Sequence, residues 1–242
     1  MIDLHSHILP ELDDGARNLQ DAITMARMAV QSGVTAMVAT PHCAKDRRRE
    51  IYDAWMFFRD ALEESGIPLH LFLGMEIFGT PSTARMLREE SLFTLNGARY
   101  PLIEFSFHSD GRQETHILQD VISAGFVPII AHPERYLYVQ ETPSLLNQWH
   151  NMGCLMQINR GSLFGRFGRH AQRLSAELVE RGFATVIASD AHSPRQRTPW
   201  LKDVHDLVQE GLSSQQAKLL LEDNPRKIIE NENIQPADPV WF

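Results

Sequence analysis

The chain has 242 residues, with 31 Asp plus Glu against 23 Lys plus Arg and a formal net charge of −8 at pH 7. That length, with 43% hydrophobic residues, is enough to bury a sizeable core, and it sets aside disorder, collagen and a disulfide scaffold. An acidic balance without a long basic stripe also disfavours nucleic acid or an anionic lipid surface as partner.

From the start of the chain, the apolar run Met1–Leu4 passes directly into polar sequence, without the charged and apolar regions of a signal segment, and no later run reaches transmembrane length. Further β-branched or aromatic runs follow at Thr35–Ala39, Leu69–Leu73, Tyr100–Ile103, Val127–Ile130, Leu155–Ile158 and Thr185–Ala188, and each reads as a strand. Helical patterns lie between them. Asn18 is placed to cap a helix that carries Ile23, Ala26 and Val30 on one face and stops at Gly33. A second opens at Thr142 with Pro143 in first position and closes at Gly153, and a third runs from about His170 to Gly182. The stretch Ser213–Asn224 reads as a last helix ending before Pro225. The loop Lys45–Ile51, with its run Arg47-Arg48-Arg49, and the end Asn233–Phe242 read as irregular. Strand and helix alternating through the chain imply an α/β fold with a parallel sheet, and seven such units in this length fit a closed TIM-like barrel in a single domain, 1–242. Two cysteines, Cys43 and Cys154, are too few for a disulfide framework, so a reducing, cytoplasmic setting is expected.

Chemistry-bearing residues follow the strands. His5 and His7 follow the first, Pro41-His42 the second and Glu76 the third; Glu104 ends the fourth, His132 follows the fifth, and Asp190 and His192 follow the seventh. In a parallel barrel the strand C-termini open on one face, so residues scattered along the chain converge on one bowl. His5-x-His7 sets two imidazoles on one face of a strand, and Asp190-x-His192 repeats that spacing with a carboxylate. Glu76 and Glu104 are embedded in apolar sequence, where a carboxylate needs a cation; a metal ion or an arginine such as Arg135 can supply it. Asp13-Asp14-Gly15 reads by itself as an Asx turn closed by glycine. A mixed nitrogen and oxygen set without cysteine suits two or three ions of Zn, Mn or Fe type. Such ions lower the pKa of a bridging water and hold the oxygens of a transferring phosphoryl group.

The segments His5-Ser6-His7, Thr40-Pro41-His42, Gly74-Met75-Glu76-Ile77, Ile103-Glu104-Phe105-Ser106, Ala131-His132-Pro133-Glu134-Arg135-Tyr136 and Ala188-Ser189-Asp190-Ala191-His192 resemble the motifs of the polymerase and histidinol phosphatase (PHP) superfamily. Within it, Met1 to Pro10, Asp13-Asp14-Gly15 and Asp223-Asn224-Pro225-Arg226-Lys227-Ile228 are most similar to the manganese-dependent bacterial protein-tyrosine phosphatases of capsule and exopolysaccharide biosynthesis, the CpsB/CapC type. The match runs in order from Met1 to about Ile229.

The resemblance implies a distorted seven-stranded (β/α) barrel, the PHP fold, with a centre of two or three divalent ions, manganese first and Zn, Fe, Co or Mg as others. It implies that His5, His7, Glu76 and Asp190 hold one ion, Glu76, Glu104 and His132 a second, and Asp14, His42 and His192 a third, with Glu76 bridging. Arg135 and Arg197 match the arginines that the family places over the substrate phosphate, with Arg195 as a substitute for Arg197. The implied activity is hydrolysis of phosphotyrosine by a metal-bridging hydroxide, the implied partner the tyrosine-rich tail of a bacterial tyrosine kinase. Two rival readings are a small-molecule phosphatase of the histidinol phosphatase kind and a metal-stabilised binding module without catalysis. Neither Cys43 nor Cys154 lies in a phosphate-cradling loop, so a cysteine nucleophile is not expected. Arg47-Arg48-Arg49 at the rim could meet an acidic peptide, and Tyr136, Phe164 or Phe167 a tyrosyl ring. No oligomeric state is implied.

Overall fold

Strands of three to five residues, each followed by a turn or helix, set the frame of the computed structural model, which describes residues 1–42, 47–235 and 238–242. The expectations that fall on Cys43 and Lys45 lie outside those residues. β1 (Ile2–Ser6), β2 (Ala36–Ala39) and β3 (His70–Leu73) form one parallel sheet in that order. β4 (Glu76–Phe78), β5 (Leu102–Glu104), β6 (Ile129–Ala131), β7 (Leu155–Asn159) and β8 (Val186–Ala188) form the other. The sheets join at two seams. At one, the His7 N–H donates to the Ala191 carbonyl at 2.8 Å and the Asp190 N–H to that of His5 at 2.9 Å. At the other, the Glu76 N–H donates to the Pro41 carbonyl at 3.1 Å, and His42 bridges Glu76 in parallel. The outcome is a barrel distorted at both seams, consistent with the PHP fold.

The third apolar run, Leu69–Leu73, forms β3, and the stave it belongs to continues as a second strand beyond the run. β3 pairs with β2, and after Gly74-Met75 the chain resumes as β4, which pairs with β5. Gly74 sits at the break, where a Cβ would come within 2.9 Å of the Val38 side chain and 3.0 Å of Leu95. Glu76, expected to follow the third strand, thus opens a strand of its own.

The helices are α1 (Leu19–Gln31), α2 (Arg48–Glu64), α3 (Thr83–Arg88), α4 (Arg112–Ser123), α5 (Leu137–Glu141), α6 (Leu145–Asn151), α7 (Arg160–Leu163), α8 (Arg169–Glu180), α9 (Lys202–Gly211), α10 (Ser214–Lys218) and α11 (Asn224–Ile229). Asn18 caps α1 as predicted, accepting from the Asp21 N–H at 2.9 Å, and Ile23 and Ala26 face the core. The helix expected from Thr142 begins its regular part at Leu145, after a tight turn in which the Thr142 and Pro143 carbonyls accept from Leu145 and Leu146. The last helix does not end before Pro225. A π turn over Leu219–Asp223 leads into α11, and Pro225 falls in the first turn of α11, where a missing N–H costs no helical bond.

Two apolar clusters hold these elements. The larger packs strand residues such as Met37, Ile103, Ile130, Met156 and Ile187 against helix residues such as Met25, Leu118 and Leu178. The smaller gathers Ile2, Leu4, Ala36, Val38, Leu102, Ile129, Leu155 and Val186 from the strands, with Ile228 and Ile229 of α11, and fills the barrel beneath its C-terminal mouth. Residues 238–242 lie against α6 and α8: the Val240 N–H donates to the Arg181 carbonyl at 2.8 Å, and the Trp241 ring meets Phe183 and His150 edge-on.

Tyr136 is fully buried and is therefore not a rim residue for a tyrosyl ring. Its hydroxyl donates to the Ala131 carbonyl at 2.7 Å and accepts from the Phe105 N–H at 3.0 Å, which ties together the strand ends that carry Glu104 and His132. Tyr136→Phe leaves both backbone groups without a partner, and urea unfolding is expected to show a loss of about 1–3 kcal/mol.

Candidate metal centre

Strand ends deliver the nine acidic and imidazole residues to one point. β1 and β2 differ by one residue in register, Asp3 facing Met37 and Ser6 facing Ala39, so a bulge lies between Asp3 and Ser6. Bulges re-aim side chains. Leu4 belongs to the inner cluster, and its neighbour His5 also reaches across the barrel, to Gln157. The Nε2 atoms of His5 and His7 lie 3.2 Å apart, and each lies within 3.3 Å of Glu76 Oε2. Asp190 Oδ1 lies 3.5 Å from His5 Nε2 and 3.6 Å from His7 Nε2. His132 Nε2 is 2.9 Å from Glu76 Oε1 and 3.6 Å from Glu104 Oε1. His42 Nδ1 is 3.1 Å from Glu76 Oε2, while its Nε2 faces Asp14 Oδ1 at 3.5 Å, with His192 Nε2 3.4 Å from the same oxygen.

Four groups in this cluster have the spacing to hold an ion: His5, His7 and Asp190; His5, Glu76 and His132; His42, Glu76 and Glu104; and His7, Asp14, His42 and His192. They contain every residue of the expected ligand set. The first lacks Glu76 of its implied set, and the last has His7 in addition to its implied set. His132 and Glu104 fall in two groups that share Glu76.

The donor chemistry fits cations. His5 Nδ1 lies 2.9 Å from Gln157 Oε1, and His7 Nδ1 lies 2.7 Å from Asp13 Oδ2, so each imidazole donates through Nδ1 and turns the Nε2 lone pair inward. Two inward Nε2 atoms beside carboxylates form a place that takes positive charge, as a proton or as a metal ion. Asp190 Oδ1 and His192 Nε2 are buried in this cluster without a hydrogen-bond partner. His132 and Asp190 both adopt left-handed backbone, with φ of 35° and 51°, which residues other than glycine rarely do and which clusters at functional sites.

Electrostatics point the same way. Burial raises a carboxyl's pKa, yet the imidazoles of His5, His132 and His7 hold Glu76 well below the usual carboxylate range. Glu104, buried beside the Glu76 charge, is pushed up to about 7. Burial and the Arg135 charge lower His132 to about 4, leaving its imidazole neutral and available as a ligand. Burial works against a proton on His7, but the bonds to Asp13 and Glu76 outweigh it and raise the group to about 10.

Arg135 and Arg197 both reach Asp190. Arg135 Nη1 lies 3.2 Å from Asp190 Oδ2, and Arg197 Nη2 pairs with the same oxygen. Arg195 is exposed and, among the described residues, makes no ion pair, so Arg197 is the one placed at the centre. Arg47-Arg48-Arg49 does not form one basic face: Arg47 forks onto Glu50, Arg49 faces Asp53 at 3.7 Å, and Arg48 stacks on Phe93. Phe167 stacks on Arg135 at 4.2 Å, and Phe164 lies beside Arg160. Cys154 is buried and its thiol pushed up to about 12, which removes it as a nucleophile.

Sequence reasoning missed the residues that hold the ligands. Asp13 accepts from the His42 and Gly15 N–H groups as well as orienting His7, so its Asx turn and the outward Asp14 are parts of one device. Gln157 Nε2 donates to Asn159 Oδ1 at 2.8 Å, and Asn159 Nδ2 donates to Asp190 Oδ2 at 2.5 Å. The available signal was two amides at alternating positions in an otherwise apolar strand. Glu134 accepts from Ser162 Oγ at 2.6 Å and from the Asn159 N–H at 3.0 Å, fixing the end of β7.

A distorted barrel with a His and carboxylate centre at its strand ends defines a protein of the PHP class, built to hold a cluster of divalent ions. The chain belongs to the capsular polysaccharide synthesis family CpsB/CapC, whose family model matches residues 1–230. It is 36% identical to the tyrosine-protein phosphatase YwqE of Bacillus subtilis over 99% of this chain and 96% of that one. It is 31% identical to the tyrosine-protein phosphatase CpsB of Streptococcus pneumoniae over 97% of this chain and all of that one. A crystal structure from work on these two, described as unique metal-dependent tyrosine phosphatases, superposes with a TM-score of 0.93 at 35% identity over the full length of both chains.

Two outcomes are expected. An ion entering beside His7 must displace a proton held up to about pH 10, so apparent metal affinity rises with pH, by about tenfold per unit for each proton displaced, in chelator competition. Gln157→Leu removes the acceptor that directs His5, and metal affinity is expected to fall by about tenfold to a hundredfold with the fold intact by circular dichroism.

Proposed function

We propose that the protein is a metal-dependent tyrosine phosphatase, hydrolysing phosphotyrosine in a protein that controls capsular or exopolysaccharide synthesis. The observation that carries this reading is the joint placement of the arginine pair and the polynuclear ligand set around Asp190, in a chain that matches its phosphatase relatives over nearly their whole length. The substrate tail of a bacterial tyrosine kinase and manganese as the ion are the partner and cofactor proposed with it. Residues 1–242 act as one catalytic unit in this reading.

His5, His7, Glu76 and Asp190, then Glu104 with His132, then Asp14, His42 and His192 would hold the ions, with Glu76 shared. Bound there, divalent ions supply an activated water and neutralise charge on the phosphoryl oxygens. The protein's own residues do the rest. Asp190 holds the Arg135 and Arg197 guanidiniums at the edge of the centre through one oxygen, and their other Nη groups, which have no further ion pair among the described residues, would grip non-bridging phosphate oxygens, for which the guanidinium fork is suited. Phe107 and Phe167 flank Arg135 at 4.8 and 4.2 Å and keep its plane fixed. A phenol, with a pKa of about 10, departs with little protonation, so no dedicated general acid is required and phosphotyrosine is favoured over phosphoserine. Among the described residues no helix is long and apolar enough to cross a membrane, which suits a substrate met at the protein's surface.

The test is phosphate release by protein stripped of metal and resupplied separately with Mn, Zn, Fe, Co or Mg. Phosphotyrosyl peptide, phosphoseryl peptide and histidinol phosphate are compared, and manganese-restored release favouring phosphotyrosine is expected. Turnover confined to histidinol phosphate sinks the substrate assignment, and metal binding without any turnover sinks the enzyme. Cys154→Ser is expected to leave the rate within about twofold, since the buried thiol takes no part.

A further inference from the structure

Arg135 borders more than the metal centre. It also lines a separate cleft of about 400 Å³, open to solvent at the mouth of the barrel, between the segment after β5 and the start of α8. Phe107, Leu137 and Phe167 give the cleft apolar walls, Arg169 gives it a fixed positive charge, and His108 and His170 add imidazoles beside it. Among the described residues no aspartate or glutamate lines it. His108, Arg169 and His170 are exposed, and among the described residues none of the three is ion-paired, whereas Arg173, further along α8, faces Glu177 at 3.6 Å. In a chain with net charge −8, an unpaired Arg169 in a cleft that shares Arg135 as a wall is local and does not follow from composition.

We propose that this cleft is a second anion subsite, which takes the acidic side chain of a residue neighbouring the phosphotyrosine in the same substrate chain. This rests on the tyrosine phosphatase reading and adds the sequence context that the site selects. With the phosphotyrosine phosphate at Arg135, the peptide must leave the bowl across the rim, and a neighbouring residue enters the cleft that shares Arg135 as a wall. Arg169 offers a two-pronged donor for a carboxylate or a phosphate, with the two imidazoles beside it. A carboxylate from Asp or Glu and the phosphate of a second phosphotyrosine present the same chemistry, and the apolar walls accommodate the stem of either.

The experiment measures binding, so that it does not depend on turnover. Fluorescent peptides carry phosphonomethylphenylalanine in place of phosphotyrosine, with alanine, glutamate or a second phosphonate residue at each of the two positions on either side. Affinity for the manganese-loaded protein is read by anisotropy. The expected result is binding about fivefold tighter for at least one acidic-neighbour peptide than for its alanine counterpart, as suits an exposed ion pair. That ratio falls to about one in Arg169→Ala and returns in part in Arg169→Lys. Arg169 is exposed in the first turn of α8, so its removal does not threaten the fold. Glutamate and second-phosphonate peptides separate the two sources of the anion. Equal affinity for acidic and neutral neighbours in the unaltered protein, or a preference that survives Arg169→Ala, overturns the subsite. Turnover of matched phosphotyrosyl peptides is followed in parallel: an acidic preference without hydrolysis sinks the phosphatase reading and leaves the subsite standing, and hydrolysis without a preference does the reverse.

Discussion

A carboxylate that is 1% exposed, with imidazole nitrogens of four histidines within 3.3 Å, is the constraint around which this barrel is arranged. Glu76 cannot be buried as a bare anion, because the desolvation cost of a carboxylate greatly exceeds the stability of a domain unless nearby cations offset it. It also opens β4, at the seam where the second sheet meets the end of β2. The break in the stave at Gly74-Met75 and the placing of Glu76 are therefore one feature. Without the break, the chain would continue beside β2, and the carboxylate could not face His5, His42 and His132 at once. Positive charge at this point, from protons or from metal, serves the closing of the barrel as well as any chemistry in it.

The second level of organisation lies in hydrogen bonds that assign each ligand atom a direction. Asp190 spends Oδ2 on Asn159, Arg135 and Arg197, which leaves Oδ1 to His5 and His7. Because Asp190 can only accept, Asn159 must turn its NH2 towards it; Asn159 then accepts from Gln157, whose oxygen in turn accepts from His5. The amide orientations are fixed by this chain of donors, and so is the His5 tautomer. Asp13 does the same for His7 in one step. Gly15 makes that arrangement possible, since a Cβ there would lie 2.0 Å from the His7 carbonyl oxygen.

Much of this was legible in the sequence, and the parts that were not share a cause. Alternation of apolar runs and capped helices gave the order of staves, and the polar residue after each run gave the bowl, because strand direction alone forces that convergence. The convergence of the nine candidate residues on one cluster was legible for the same reason. What escaped were features decided by contact across the barrel: Glu76–Phe78 has the apolar look of a loop entry until β5 pairs with it, and the helix through Pro225 survives only because a π turn shifts the proline into a first-turn position. Tyr136 looked like a rim aromatic by its place after His132, yet it turns inward because two backbone groups at adjacent strand ends need its hydroxyl. Asp13, Gln157 and Asn159 were invisible as a group, since their partners lie up to 152 residues away in the chain.

Surface charge completes the same logic at longer range. A protein of net charge −8 repels polyanions on average, so a phosphorylated substrate must be drawn by a local field. Divalent ions held at the bottom of the bowl would bring positive charge there, with Asp14, Glu76, Glu104 and Asp190 around them to offset part of it. The arginines at the edge add positive charge there, and they are held by stacking rather than by further carboxylates: Phe167 lies 4.2 Å from the Arg135 guanidinium and 5.7 Å from that of Arg197. An aromatic face orients a guanidinium while leaving most of its donors available, which a second carboxylate would occupy. The one carboxylate both arginines share, Asp190, is itself committed to the centre, so the positions of the two guanidiniums and of the clustered imidazoles and carboxylates are tied through a single side chain.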